Sequence, residues 1–259
     1  MTHKLFGYPG GKWQLKNVIV SAFPAHRTYV DAFGGSASIL LAKEKSNGEV
    51  FNDNNQEIVN FFRVVKHRPA DLAERSRHWI HSRTLFDELR DQTVPFDEVE
   101  RAFRFWVLLQ DSYGSMGLTM GTKREGIQSV THARNYLNEV SLRLKDVHIE
   151  CLDFRECIKR YDSQKTFFYL DPPYRNTRGG YTNYDLLSDD DWTDLKYLLS
   201  TIKGKFLLSS NTDPFVIDLF KGYEKRTLNV RVSLPNREKG KQRKELLISN
   251  YDAQLVNGK

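Results

Sequence analysis

Short apolar runs alternate with amphipathic stretches over the first and last parts of this chain, while its middle is amphipathic throughout. The runs are TYVDAF (28–33), EVFND (49–53), VHIECLDF (147–154), TFFYLDPP (166–173), KFLLSSN (205–211), RTLNVRV (226–232) and ELLISNY (245–251). Several are continuously apolar, as strands covered on both faces must be. Helical spacing fills many of the gaps, as in 188–203, where Ser188 and the aspartates after it supply an N-terminal signal. Similar spacing in 36–45 follows the first run. The alternation predicts an α/β fold around a seven-stranded, mostly parallel, doubly wound sheet. The last two runs face each other across the polar stretch 235–243 and predict an antiparallel hairpin at the sheet edge. Residues 56–146 keep three- and four-residue apolar spacing, notably over 61–67, 72–90, 96–113 and 131–146, and predict helices. The chain thus divides into a discontinuous α/β part, 1–55 with 147–259, and an inserted helical part, 56–146.

Composition changes this picture little. With 39% hydrophobic and 28% charged residues the chain reads as an ordinary globular protein. No apolar run approaches the ~20 residues of a membrane span, and MTHKLFGYPGGKWQLK lacks a secretory core, so no membrane partner and a cytoplasmic location are expected. The two cysteines, Cys151 and Cys157, are too few for a four-cysteine zinc site and are expected as packing residues. The histidines show no paired ligand spacing, and no metal is expected. Charge matters more. The net charge is +6, and residues 221–245 alone hold nine Lys/Arg against three Asp/Glu. Such a strip is either a solvated loop or the contact surface for a polyanion.

The candidate chemistry lies where the strands end. Ligands of open α/β sheets bind at the carboxyl ends of the strands, and here the runs end in Asp31-Ala-Phe33-Gly34-Gly35, Asn52-Asp53, Asp153-Phe154, Asp171-Pro172-Pro173-Tyr174 and Ser210-Asn211. Any one of these polar residues can be a helix cap; together they outline a polar cleft. Gly34-Gly35 opens a helix and is either a tight turn or a backbone approach for a ligand. Asp53 follows about twenty residues on, the place of an acid that accepts from two ribose hydroxyls. The missing G-x-G-x-x-G weakens a nicotinamide dehydrogenase. In 171–174 the two prolines stop a strand and stiffen the turn. An acid, a carbonyl and an aromatic ring placed there can hold a planar amine. The Asp171 carboxylate and the Pro172 carbonyl accept its two hydrogens while Tyr174 stacks on its ring. The nitrogen lone pair then conjugates less with that ring and becomes nucleophilic toward a sulfonium methyl.

These motifs, in this order, resemble the Dam-type, D12 class DNA adenine-N6 methyltransferases. Tyr8-Pro-Gly-Gly-Lys12, YVDAFGGSAS (29–38, with Ser36 in place of a final glycine), NDNNQEIV (52–59), DPPY, SSN (209–211) and KELLISNY (244–251) carry the resemblance, which spans both ends of the chain. It implies a Rossmann-like fold and S-adenosylmethionine as cofactor. Tyr8, Lys12, Asp31, Phe33, Gly34 and Gly35 would surround the methionine part, Asp53 the ribose, and Asp153 with Phe154 the adenine. Asp171, Pro172, Pro173 and Tyr174 would hold a flipped adenine of double-stranded DNA, with Tyr181 and Tyr184 beside it. Residues 56–146 take the place of the family's target-recognition lobe. Its tip, 112–124, would offer Tyr113 as a wedge and Lys123 and Arg124 as DNA contacts, while Arg237, Lys239, Lys241 and Arg243 would hold phosphates. The F-N-x-P-F-G segment of GATC-methylating relatives is missing, so the resemblance does not carry a GATC site. It implies a prokaryotic or phage-encoded enzyme, monomeric or weakly dimeric. The alternatives are an amine methyltransferase acting on RNA or protein, and a non-catalytic DNA-binding relative.

Overall fold

The computed structural model describes residues 3–92, 97–121, 130–175, 186–231 and 242–254. Seven strands form one sheet: β1 (Thr28–Asp31), β2 (Gly48–Asn52), β3 (Val147–Glu150), β4 (Thr166–Leu170), β5 (Lys205–Asn211), β6 (Glu224–Arg231) and β7 (Gln242–Ser249). Their spatial order is β3-β2-β1-β4-β5-β7-β6. The first five are parallel, and β7 runs antiparallel between β5 and β6. This is the Rossmann-like sheet with an antiparallel hairpin at one edge. The order reverses between β1 and β4, so their carboxyl ends flank the crevice in which such sheets bind ligands.

Strand periodicity explains the two apolar layers. In β4, Phe167 and Tyr169 enter one layer while Phe168 and Leu170 enter the other. The second layer is closed by α9 (Phe154–Tyr161), α10 (Asp189–Thr201) and α11 (Pro214–Leu219), through Cys157, Ile158, Trp192, Leu195 and Val216. The first is closed by α1 (Lys16–Ser21), α2 (Ser38–Ala42) and the helices between β2 and β3. These are α3 (Gln56–His67), α4 (Pro69–Arg77), α5 (Arg83–Asp91), α6 (Glu98–Gln110), α7 (Val130–Ala133) and α8 (Leu137–Leu144). Phe61 and Phe62 of α3 and Trp106 of α6 are buried in the same layer as Phe51 of β2.

Three elements differ from the sequence pattern. The stretch 72–90 is two helices rather than one. Trp79 turns inward to donate to Asp111 at 2.7 Å, and Ser82 caps a new start by accepting from the Leu85 N–H. The pattern over 36–45 forms helix only to Ala42, because Lys43 turns in to meet Glu49 at 2.5 Å. The run 147–154 stops being strand at Glu150, because the Asn52 amide clasps both backbone groups of Leu152. Of the two cysteines, Cys157 packs as expected, whereas Cys151 is exposed.

The N-terminal segment is held by the helices. Trp106 donates its indole N–H to the Leu5 carbonyl at 2.8 Å, and the Phe6 ring meets Phe61 and Phe105 edge-on. This anchoring carries residues 7–12 across the carboxyl ends of β1 and β4. Trp106→Phe strands the buried Leu5 carbonyl and shrinks the ring. It is expected to cost about 2–3 kcal/mol in urea unfolding; a loss under about 0.5 kcal/mol would contradict this anchor.

Candidate active site

Strand ends, the N-terminal segment and one proline-stiffened turn build a single cavity of about 310 Å³. Among its lining residues are Tyr8, Lys12, Asp31, Phe33, Gly34, Gly35, Asp53, Asp171, Pro172, Pro173 and Tyr174. A smaller hollow of about 190 Å³ shares Phe33, Asn54 and Pro173 with it and is walled by Asp153, Phe154 and Arg155. The predicted cofactor residues and the predicted base residues 171–174 therefore meet on one rim. Tyr113 stands apart. It is 44% exposed, in a loop closed by the Ser112–Met120 bridge, whose Ser115 lies against Gly7 beside Tyr8. Lys123, Arg124, Tyr181, Tyr184, Arg237, Lys239 and Lys241 lie outside the described residues, and Arg243 is described only as backbone in β7.

Asp31 ends β1 and is buried, with its Oδ2 accepting from the Tyr29 hydroxyl at 3.2 Å. Its Oδ1 is also buried and accepts no hydrogen bond from any of the described residues. Burial raises its pKa well above the carboxylate range, against the Tyr29 bond and with further upward push from Asp171 and Asp53. A buried acid with an unanswered oxygen on a cavity wall fits a cationic ammonium.

Asp53 follows β2. Its Oδ2 accepts from the Gly35 N–H and its Oδ1 from the Asn55 N–H, both at 2.9 Å. Burial pushes its pKa up to about 6, although those bonds favour the charged form. Asn55 in turn caps α3 with its own side chain. The two glycines differ in purpose. A Cβ on Gly34 would run into the Phe51 ring, so packing requires that glycine, whereas Gly35 adopts φ +49° beneath the Tyr8 ring. In the second hollow, Asp153 caps α9 by accepting from the Arg155 N–H at 2.8 Å. The Phe33 and Phe154 rings lie 5.5 Å apart.

The corner at 171–174 is the most strongly charged part of the cavity. Lys12 reaches both oxygens of Asp171, at 2.6 and 2.7 Å, and the Gly10 carbonyl at 2.8 Å. Its ammonium thus sits at the proposed base site rather than free in the cavity. Tyr174 is buried, donates its hydroxyl to Glu245, and has Lys12 4.8 Å from its ring centroid. Burial carries the Asp171 pKa to about 6, with Lys12 pulling it down and Glu245 pushing it up.

Sequence reasoning singled out neither Glu245 nor Arg175, and gave Asn52 only as one of the strand-end polar residues. Glu245 is fully buried at the start of β7's apolar run, paired across the sheet with Asn211. Its only signal was an acid leading an apolar strand. Asn52 ties the rim together, donating to the Ala32 and Leu152 carbonyls at 3.0 and 3.1 Å. Arg175 follows the corner, pairs with Asp189 and Asp213, and stacks on Phe215.

With this geometry in view, the comparisons are specific. The chain belongs to the D12 class N6 adenine-specific DNA methyltransferases, whose family model matches residues 8–233. It is 27% identical to modification methylase StsI of Streptococcus sanguinis over 96% of this chain, while spanning 43% of that protein's length. It is 25% identical to type II methyltransferase M1.LlaDCHI of Lactococcus lactis subsp. cremoris over 94% of both chains. It is 22% identical to a DNA adenine methylase of Vibrio cholerae over 96% of this chain and 95% of that one. Membership implies a methyl donor and a DNA substrate. Among the described residues no His, Cys, Asp or Glu group is placed to hold a metal, and no helix is long and apolar enough to cross a membrane.

The two raised acids make stability depend on pH. Each ionises near 3.8 in the unfolded chain and near 6 in the folded one, so between those values the folded chain binds more protons than the unfolded one. Their contribution is fully present below about pH 4 and is lost as pH rises through about 6. The double variant Asp53→Asn, Asp171→Asn should therefore show a less negative slope of unfolding free energy against pH over roughly 4–6.5. An unchanged slope in urea titrations would contradict the assignment.

Proposed function

We propose that this protein transfers a methyl group from S-adenosylmethionine to the N6 amino group of an adenine flipped out of duplex DNA. The observation carrying this reading is that Asp31, Asp53 and Asp171 open onto one cavity. The cofactor's charges match that lining. Asp31 offers its unpartnered Oδ1 to the methionine ammonium, and Asp53 retains lone pairs for the ribose hydroxyls. Phe33 and Phe154 with Asp153 wall the hollow proposed for the adenine, while Tyr8 and Gly35 border the methionine part. When bound, the cofactor supplies an electrophilic methyl on a sulfonium.

The target amine is held at 171–174. Asp171 and the Pro172 carbonyl accept its hydrogens, and the prolines keep the two acceptors rigid. Lys12 neutralises Asp171 until the base arrives. A base stacking on Tyr174 would use the part of the ring that lines the cavity, the rest of the side chain being buried. Flipping costs a few kcal/mol, which these contacts offset. Tyr181 and Tyr184 are proposed to border the flipped base.

Residues 56–146 are proposed as the target-recognition domain and 1–55 with 147–259 as the catalytic domain. Tyr113, exposed on a loop against the N-terminal segment, is the proposed wedge. Lys123, Arg124, Arg237, Lys239, Lys241 and Arg243 are the proposed DNA contacts. A restriction–modification role fits relatives named a modification methylase and a type II methyltransferase. A cytoplasmic, monomeric or weakly dimeric enzyme completes the reading.

Asp171→Ala is expected to lower labelled methyl transfer to duplex DNA at least about a hundredfold while leaving cofactor affinity within twofold; full activity would refute the corner's role. Asp53→Ala should raise the calorimetric dissociation constant for S-adenosylmethionine about tenfold or more, roughly 1.4 kcal/mol. An unchanged constant would move the ribose elsewhere.

A further inference from the structure

Glu245 is a buried acid that the mechanism above leaves without a task. It lies in β7 opposite Asn211 of β5 and Leu228 of β6 and is fully enclosed. Its Oε1 accepts from the Tyr174 hydroxyl and lies 3.4 Å from the Lys12 ammonium. That ammonium is the one gripping both Asp171 oxygens. Among the described residues, Asp171 and Glu245 thus share the buried Lys12 cation. A buried acid is retained at such cost only if its partners need it.

We propose that Glu245 is a positioning residue for the methylation reaction, holding the Tyr174 ring in place and giving Lys12 a second carboxylate to lean on when Asp171 takes up the target amine. This deepens the reading above and rests on Asp171 being the acceptor of that amine. As Lys12 is a single cation, whichever oxygen it leaves must meet another donor or face the cavity uncompensated. Adenine's amino hydrogens replace it at Asp171, and Glu245 receives the ammonium without its returning to water. The Tyr174 hydroxyl, which lies against Asp171 as well as Glu245, stays fixed by remaining on Glu245.

Among the described residues, the charged and titratable groups around this pair come from several elements. Lys12 belongs to the N-terminal segment, Asp31 to β1, Tyr169 and Asp171 to β4 and its end, and Tyr174 to the turn beyond. The Glu245 charge pushes the Asp171 pKa upward, and Lys12 pulls it down. Glu245→Gln keeps an acceptor for Tyr174 and removes the charge. Lys12 then belongs wholly to Asp171, which ionises at lower pH but is harder for the amine to reach.

The test measures kcat against pH on unmethylated duplex DNA, with S-adenosylmethionine saturating so that Asp53 does not limit the profile. Glu245→Gln should lower the neutral plateau about tenfold or more and shift the acidic limb to lower pH by about half a unit or more. Glu245→Asp keeps the charge but withdraws it by one methylene; it should lower the plateau with the limb near its wild-type position. Cofactor affinity within twofold of wild type shows that each variant is folded. A Glu245→Gln profile reduced equally at all pH, or unchanged, overturns the inference. If Asp171→Ala is also inactive, only the Glu245 role fails; if Asp171→Ala is active, the underlying assignment fails.

Discussion

The structure turns on an ammonium buried between two carboxylates. Lys12 is 2% exposed, grips both oxygens of Asp171 and lies near Glu245. Each of the three is costly to bury alone, and together they form a corner in which one ammonium is shared between two acids. A proline-proline turn holds the Asp171 carboxylate rigidly, as the proposed acceptor of an amine must be held.

Three distant parts of the chain meet there for separate physical reasons. Lys12 arrives because Leu5 and Phe6 are buried among the helices and Trp106 pins the Leu5 carbonyl. Asp171 arrives because β4 is apolar on both faces and ends at the crevice beside β1. Glu245 arrives because β7 enters the sheet antiparallel beside β5, in register with Asn211. The same insertion places Arg231 of β6 and Gln242 of β7 at the end of the sheet where β5 finishes. Burial raises the pKa of the neighbouring Asp53 and Asp31, which line the same cavity.

Much of this was legible in the sequence because strands covered on both faces leave long apolar runs, and all seven appear as strands. The acids at their ends stood out because nothing in strand packing calls for them. Boundaries were less legible, since long-range polar contacts decide them: Asn52 stops β3 by clasping Leu152, and Lys43 ends α2 by turning to Glu49. Gly34 read as either a turn glycine or a ligand-approach glycine; it lines the cavity, and the Phe51 ring fills the space a side chain would need. Glu245 was hidden because it closes a basic stretch and looks like one more surface charge. Only the pairing of β7 with β5 reveals it under Tyr174.

The most direct test is a crystal structure with duplex DNA and the demethylated cofactor. The expected result is an adenine turned out of the helix, its amino nitrogen about 3 Å from an Asp171 oxygen and the Pro172 carbonyl, with the cofactor's ribose on Asp53. An adenine left stacked in a productively bound duplex, or one seated away from Asp171, would contradict it.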